Sequence, residues 1–151
     1  MSTMLAKIAV AWTRAWGFGE TDAFEAIASE NYVRHSKTGD EGLESVLAQI
    51  RESHEAFSDF DVEIINAVDD GQLIAIHWRS KGRHTGTFME VPPTYREVSV
   101  DGAAFLSYSE GKITDETSIW DPRELLSSMR IWHLGKRRPS PADEKGVRSA
   151  S

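Results

Sequence analysis

One feature constrains this fold more than any other: the period of the hydrophobic residues changes at Phe57. Before it, apolar side chains recur every three or four positions, as on the buried face of a helix; beyond it they recur every second position, as in half-buried strands. Leu5, Ile8, Ala9, Trp12 and Trp16 predict a helix over residues 4–17, ended by Gly17 and Gly19. Asp22 with Glu25 three residues later predicts a capping-box start for a short helix through AFEAIA, with Phe24, Ile27 and Ala28 inward. NYVRH reads as a short extended piece. After TGDEG, Leu43, Val46, Leu47, Ile50, His54 and Phe57 share one face of a third helix.

The second half reads as strands over 60–68, 72–86, 96–109 and 113–120, joined by the DDG turn, the MEVPPT loop and the EGK turn, with a helix from Pro122 to about Trp132. Helices first and then an antiparallel meander define an α+β fold, a sheet covered on one face by helices with room for a closed pocket between them.

Composition narrows the function. The 151 residues are 40% hydrophobic and carry a net charge of −7, enough for one core and too little for two. We read residues 1–133 as a single domain and 134–151 as a basic, disordered tail. Five basic residues (Lys136, Arg137, Arg138, Lys145, Arg148) against Asp143 and Glu144 make the tail +3 and leave the body at −10. An acidic body repels phosphate backbones, which argues against nucleic-acid binding. Without cysteine, disulfides, thiolate nucleophiles and Cys-based metal sites are excluded. The opening stretch MSTMLAKIAVAWTRAW is interrupted by Lys7 and Arg14 and reads as neither signal peptide nor membrane span, so a soluble cytoplasmic protein is expected.

Motifs of several common chemistries are missing: there is no G-x-S-x-G nucleophile elbow and no Walker A loop, and GFGETD follows a helix and lacks a third glycine, so nucleotide cofactors are not expected. None of the five histidines forms an HxxxH pair. His77 and His84, seven apart on one strand, face opposite sides unless a bulge at Gly82 resets the alternation, so no metal site is expected. His54 reads as a boundary residue and His133 as exposed. Trp78 is expected inward with Ile74 and Ile76, and Arg79 outward. In VDGAAFLSYS, Asp101, Ala103, Phe105 and Ser107 share a face opposite Gly102, Ala104, Leu106 and Tyr108. Neither face is fully apolar. Asp101 reads either as a carboxylate on a ligand cavity or as an ordinary strand-start aspartate.

Asp121 carries two readings of its own. Asp121 at N-cap, Pro122 at N1 and Glu124 at N3 satisfy the rules for a helix start. Thr117, Ile119 and Asp121 also alternate on one face of the preceding strand, which would turn the carboxylate toward the pocket.

NYVRH, GLESVLAQIRESHEAFSDFDVEI, AIHWRSKGRHTGTFMEVPPTYREVSVDGAAFLSYSEGKI and WDPRELLSSM together resemble the SnoaL-like polyketide cyclases over about residues 4–130. The most specific parts are Trp78, Gly82, His84 and Gly86, the Pro92-Pro93-Thr94 loop, the Glu110–Ile113 turn and Trp120-Asp121 before a Leu-Leu helix. The resemblance implies a cone-shaped α+β barrel of the nuclear-transport-factor type, a homodimer, no metal or organic cofactor, and intramolecular aldol ring closure on an aromatic polyketide-like, hydrophobic small molecule. It implies Asp121 as acid/base. The family's assisting histidine is replaced by Ser107, leaving His84, on another strand, as the partner and His35 as a second group reaching the cavity. Trp12, Trp16, Trp78, Phe88, Asp101, Phe105, Ser107 and Trp120 are the expected substrate contacts. Burial would raise the Asp121 pKa and the helix N-terminus would lower it. The same fold also hosts non-catalytic binding or dimerisation modules, cofactor-free oxygenases and epoxide hydrolases. For the last, Arg79, Asp101 and Asp121 form the candidate set.

Overall fold

A computed structural model describes residues 2–130. The readings made for Trp132, His133 and the 134–151 tail lie outside the described residues.

The helical half contains α1 (Thr3–Trp12), α2 (Thr21–Ile27) and α3 (Leu43–Ala56); the strands are β1 (Ala28–Ser36), β2 (Gly39–Gly42), β3 (Phe57–Asp69), β4 (Leu73–His84), β5 (Glu97–Ser109) and β6 (Lys112–Trp120); α4 (Pro122–Ser128) closes the described chain. The period change falls where the sequence places it, since Phe57 is the C-cap of α3 and the first residue of β3. The six strands form one curved, open sheet in the order β2-β1-β6-β5-β4-β3. Among the described residues no helix is long and apolar enough to cross a membrane.

Three local readings need correction. First, α1 does not continue regularly to residue 17: Thr13–Gly17 form one π-helical turn, where His54 donates Nε2–H to the Trp16 carbonyl at 2.8 Å. That bond ties α3 to the turn and gives the expected boundary histidine its partner. Second, the Asp22–Glu25 capping box does not form; α2 starts at Thr21 after Glu20, whose carboxylate is taken by Arg14 at 2.6 Å. Third, the NYVRH segment is part of a nine-residue strand that pairs with β6 in parallel. The sheet is therefore mixed, because β1 reaches β6 by chain crossover rather than by a hairpin.

The helices bury Leu5, Ile8, Trp12, Phe24, Ile27, Val46, Leu47 and Ile50 against Ile74, Ile76, Ala104, Leu106 and Ile113. Each fully buried Leu, Ile, Val or Phe side chain among them contributes about 1.5–3 kcal/mol by leaving water. A second cluster joins Phe57, Val91, Val98 and Val100 to Leu125, Leu126 and Met129, so α4 caps the far end of the sheet. The two cores hold the helices and sheet apart at the space between them.

An irregularity in β6 decides which side chains enter that space. Ser107 pairs with Asp115 and Tyr108 with Ile113, so Thr114 is an extra residue on β6. Its hydroxyl donates to the Ser107 carbonyl at 3.3 Å. A bulge of one residue exchanges the faces of everything beyond it. Ile113 points inward, and past the bulge the inward set is Glu116, Ser118 and Trp120, while Thr117, Ile119 and Asp121 face out. The expected inward alternation of Thr117, Ile119 and Asp121 is thus reversed.

Candidate active site

Between helices and sheet lies a cavity of about 530 Å³. Its walls are aromatic. Trp12 and Trp16 come from the first helix and its π-turn, Phe57 and Phe60 from β3, Trp78 from β4 and Trp120 from β6. Phe88 and Met89 come from the 85–96 loop, where Met89 stands at the open mouth with Glu52 and Thr87. A site of this size and lining suits an apolar small molecule.

The buried end of the cavity is polar. Glu116 and Arg34 are cross-strand neighbours on β6 and β1, and both line the cavity. Glu116 is 3% exposed and Arg34 7%. Tyr32 Oη donates to Glu116 Oε1 at 2.7 Å, while Arg34 Nη2 donates to Glu41 Oε1 at 2.8 Å and to Gln49 Oε1. Burial raises the Glu116 carboxyl above the usual range, opposed by the Tyr32 hydrogen bond and the Arg34 charge. Burial likewise pushes the Tyr32 phenol far up, so it stays a proton donor to the carboxylate. Because Arg34 already serves Glu41 and Gln49, Glu116 is a buried carboxyl without a dedicated counter-ion. Such a group is a stronger base than an exposed one.

Several expected substrate contacts occupy the cavity wall, namely Trp12, Trp16, Trp78, Phe88 and Trp120. Regular pairing of β4 with β5 brings no bulge at Gly82, so Trp78 follows Ile74 and Ile76 inward and His77 and His84 face opposite sides.

His84 is completely buried but does not line the cavity. It packs on Phe57, ring centroids 5.5 Å apart. Thr94 donates its backbone N–H to His84 Nδ1 at 3.2 Å, which leaves the neutral ring's proton on Nε2. Tyr95 N–H donates to the His84 carbonyl at 2.8 Å and His84 N–H to the Arg96 carbonyl at 3.0 Å. His84 therefore anchors the loop that brings Phe88 to the cavity. At the loop's tip Phe88 and Val91 exchange backbone hydrogen bonds of 3.0 and 2.8 Å around Met89 and Glu90. Both turn residues have left-handed φ, 51° and 65°, which the two-residue turn demands at some strain.

The remaining expected residues lie on the outer face of the sheet. Asp121 caps α4 by accepting from Arg123 N at 2.9 Å. Its side chain is 48% exposed and pairs with Arg123, which holds the carboxyl below the usual range. Asp121 borders a shallow outer depression with Lys37, His77 and Asp101 rather than the cavity. Asp101 takes a bidentate bond from Arg79 at 2.8 and 3.1 Å and contacts His77 Nε2 at 3.0 Å. The Arg79, Asp101, Asp121 set therefore does not surround a buried water site. His35 is exposed between Asp40 and Asp115, 2.8 and 3.4 Å away, which raise its pKa. Phe105 and Ser107 share the outward parity of Asp101, because on β5 the inward set is Val98, Val100, Gly102, Ala104 and Leu106. Among the described residues no group of three or more His, Asp or Glu side chains is arranged to hold a metal ion.

The sequence model of the SnoaL-like polyketide cyclases matches residues 6–128. The chain belongs to this family. Other proteins of the same fold are similar in structure at low identity. AclR of Streptomyces galilaeus, a candidate hydroxylase, is 21% identical with a TM-score of 0.75, over 85% of this chain and 98% of its own. TsrD of Streptomyces laurentii is 16% identical with a TM-score of 0.78, over 85% and 96%. IdmH of Streptomyces antibioticus, a candidate polyketide cyclase, is 20% identical with a TM-score of 0.75, over 86% and 100%. No curated protein matches the sequence. These structural likenesses confirm the nuclear-transport-factor-like α+β fold; the family membership rests on the sequence match. For this SnoaL-like chain, Glu116 is the buried cavity carboxyl, and so the candidate functional residue, that sequence reading misses. Its signal is present but weak: a glutamate in a strand at the same β6 level as Arg34 of β1, visible only once the Thr114 bulge is known.

Proposed function

We propose that this SnoaL-like protein is a cofactor-independent cyclase that closes a ring in a polyketide-like aromatic small molecule, with Glu116 as the acid/base group. The supporting observation is the raised-pKa carboxyl of Glu116 at the buried end of an aromatic cavity, held by Tyr32 Oη at 2.7 Å.

A C–H bond between two carbonyl groups is acidic enough for such a carboxylate to remove its proton. The enolate carbon then attacks a second carbonyl of the same molecule, forming one C–C bond, and the resulting alkoxide takes a proton from the Glu116 carboxylic acid. Protons and electron pairs balance within substrate and Glu116, so the step itself needs no redox partner. Tyr32 fixes the orientation of the carboxyl, and Arg34 offers positive charge to a developing oxyanion nearby. The walls hold the chain folded for attack and exclude water. Asp121, exposed and tied to Arg123, is a poorer base than Glu116, so in this reading its role is to start α4 and His84 acts by placing the 85–96 loop.

The same reading includes pairing of two copies through the outer sheet face. Val68, Phe105 and Ile119 stand exposed there, supporting that assembly.

The decisive experiment incubates the wild type and Glu116→Gln with a linear poly-β-carbonyl probe and follows cyclised product by mass and absorbance. Loss of a general base lowers turnover by about 10²–10⁴-fold. Retention of full turnover by Glu116→Gln would overturn the assignment.

A further inference from the structure

On the inward face of the sheet, Trp78, Gly102 and Trp120 form one cross-strand row, Trp78 paired with Gly102 and Gly102 with Trp120. The indole of Trp78 does not stand up into the cavity. It lies across β5: a Cβ on residue 102 would sit 2.1 Å from Trp78 Cζ2 and 2.5 Å from Cε2. No other arrangement of that ring is compatible with such distances from the β5 backbone.

Why residue 102 is glycine follows from this contact. A glycine inside a strand is destabilising relative to alanine, because it has more backbone freedom to lose and no side chain to pack. At four other glycines a left-handed φ explains the choice, namely Gly19, Gly39, Gly71 and Gly111, but Gly102 is not among them. Its backbone would accept any residue. Only the Trp78 indole requires the missing side chain.

The consequence is a flat floor. One face of Trp78 is covered by β5, and the other belongs to the cavity that Trp78 and Trp120 both line. Trp12 adjoins it with ring centroids 6.4 Å apart at a 43° tilt, so the two rings are not stacked. Glu116 lies four residues before Trp120 on the same face of β6, about 13 Å along the strand. A ligand resting on the two indoles and reaching that carboxyl must be broad, flat and extended.

We propose that Gly102 is a specificity-determining residue: by letting Trp78 lie flat beside Trp120, it makes the cavity select planar fused-ring ligands over single rings. The proposal rests on the reading that this cavity takes the substrate, but it concerns recognition and not the acid/base step. Any side chain at 102 lifts the indole into the cavity, dividing the floor and narrowing the space above it.

The test measures equilibrium binding of 1,8-dihydroxyanthraquinone and of 1,3-dihydroxybenzene by quenching of tryptophan fluorescence, for the full chain and for Gly102→Ala and Trp78→Leu. The wild type should bind the three-ring probe at least about tenfold more tightly than the one-ring probe, the scale of one or two aromatic contacts. Gly102→Ala should remove most of that ratio by weakening the anthraquinone while leaving the single ring within about twofold. Trp78→Leu, which keeps an apolar side chain and the native glycine, should do the same, and it carries the test should Gly102→Ala not fold. An unchanged ratio in both variants, or equal loss for both probes, overturns the proposal. Failure of the catalytic reading looks different: Glu116→Gln would keep turnover, whatever the binding ratio.

Discussion

Tyr32 and Glu116 lie 84 residues apart in the chain and meet in a 2.7 Å hydrogen bond at the buried end of the cavity. The bond favours the charged carboxylate against a burial effect that disfavours it. Tyr32→Phe removes that support. We expect the acidic limb of kcat/KM to move to higher pH and kcat near neutrality to fall about tenfold, since a hydrogen bond to a charged group is worth about 1.5–3 kcal/mol. A pH–rate profile checks this, and an unmoved acidic limb would show that the phenol does not tune the acid.

Glu116 should also make stability depend on pH. Its pKa is higher folded than unfolded, so its contribution is fully present below the unfolded value near 4.5 and is lost as pH rises through the folded value. Glu116→Gln keeps the shape without the charge. Thermal melts should show the variant gaining on the wild type by a few degrees at pH 9 and by much less at pH 4, with about 2–4 °C for every kcal/mol.

Asp121 separates capping from catalysis. Asparagine caps as well as aspartate but is no base, so Asp121→Asn should keep both Tm and turnover, whereas Asp121→Ala should cost about 0.5–2 kcal/mol of stability. Collapse of turnover in a stable Asp121→Asn would return the acid/base role to Asp121.

Gly86 sits where the 85–96 loop leaves β4. A Cβ there would lie 2.4 Å from the Glu55 carbonyl oxygen, and the Thr85 and Gly86 N–H groups donate to Ala56 O at 3.0 and 2.9 Å. Backbone cannot step aside as a flexible side chain can. Gly86→Ala should destabilise by about 1–3 kcal/mol, read by urea unfolding, and weaken ligand binding by displacing Phe88.

Ile119 tests assembly. The residue is 53% exposed, on the outer sheet face. Sedimentation should give a dimer for the wild type and a monomer for Ile119→Lys with unchanged circular dichroism. A monomeric wild type removes the assembly proposal.

Much of the fold was legible because its strongest signals are local. The change of period at Phe57 marks the α3–β3 junction, and uninterrupted alternation from Ile74 through Trp78 puts the tryptophan on the correct face. The π-turn at Thr13–Gly17 was not legible, since Trp12 and Trp16 have the same spacing in an α-helix and in a slightly wider one. The candidate site was only half legible. Five aromatic walls could be named from bulk and parity, but the acid could not: counting alternation from Ile113 leads to Thr117 and Asp121, and the extra residue at Thr114 reverses that count. Bulges depend on cross-strand pairing, which a single strand's sequence does not encode.

The Thr114 bulge makes β6 behave like a reading frame. Were Thr114 paired in regular register with Ile113 kept inward, Glu116, Ser118 and Trp120 would turn to the outer surface and Thr117, Ile119 and Asp121 to the cavity, whereas deleting Thr114 would remove the bulge and leave Glu116 inward. The pairing of one residue thus decides which of two sets of side chains along this strand faces the cavity. A shift of that bulge would exchange one acid for another without altering any residue of the chain.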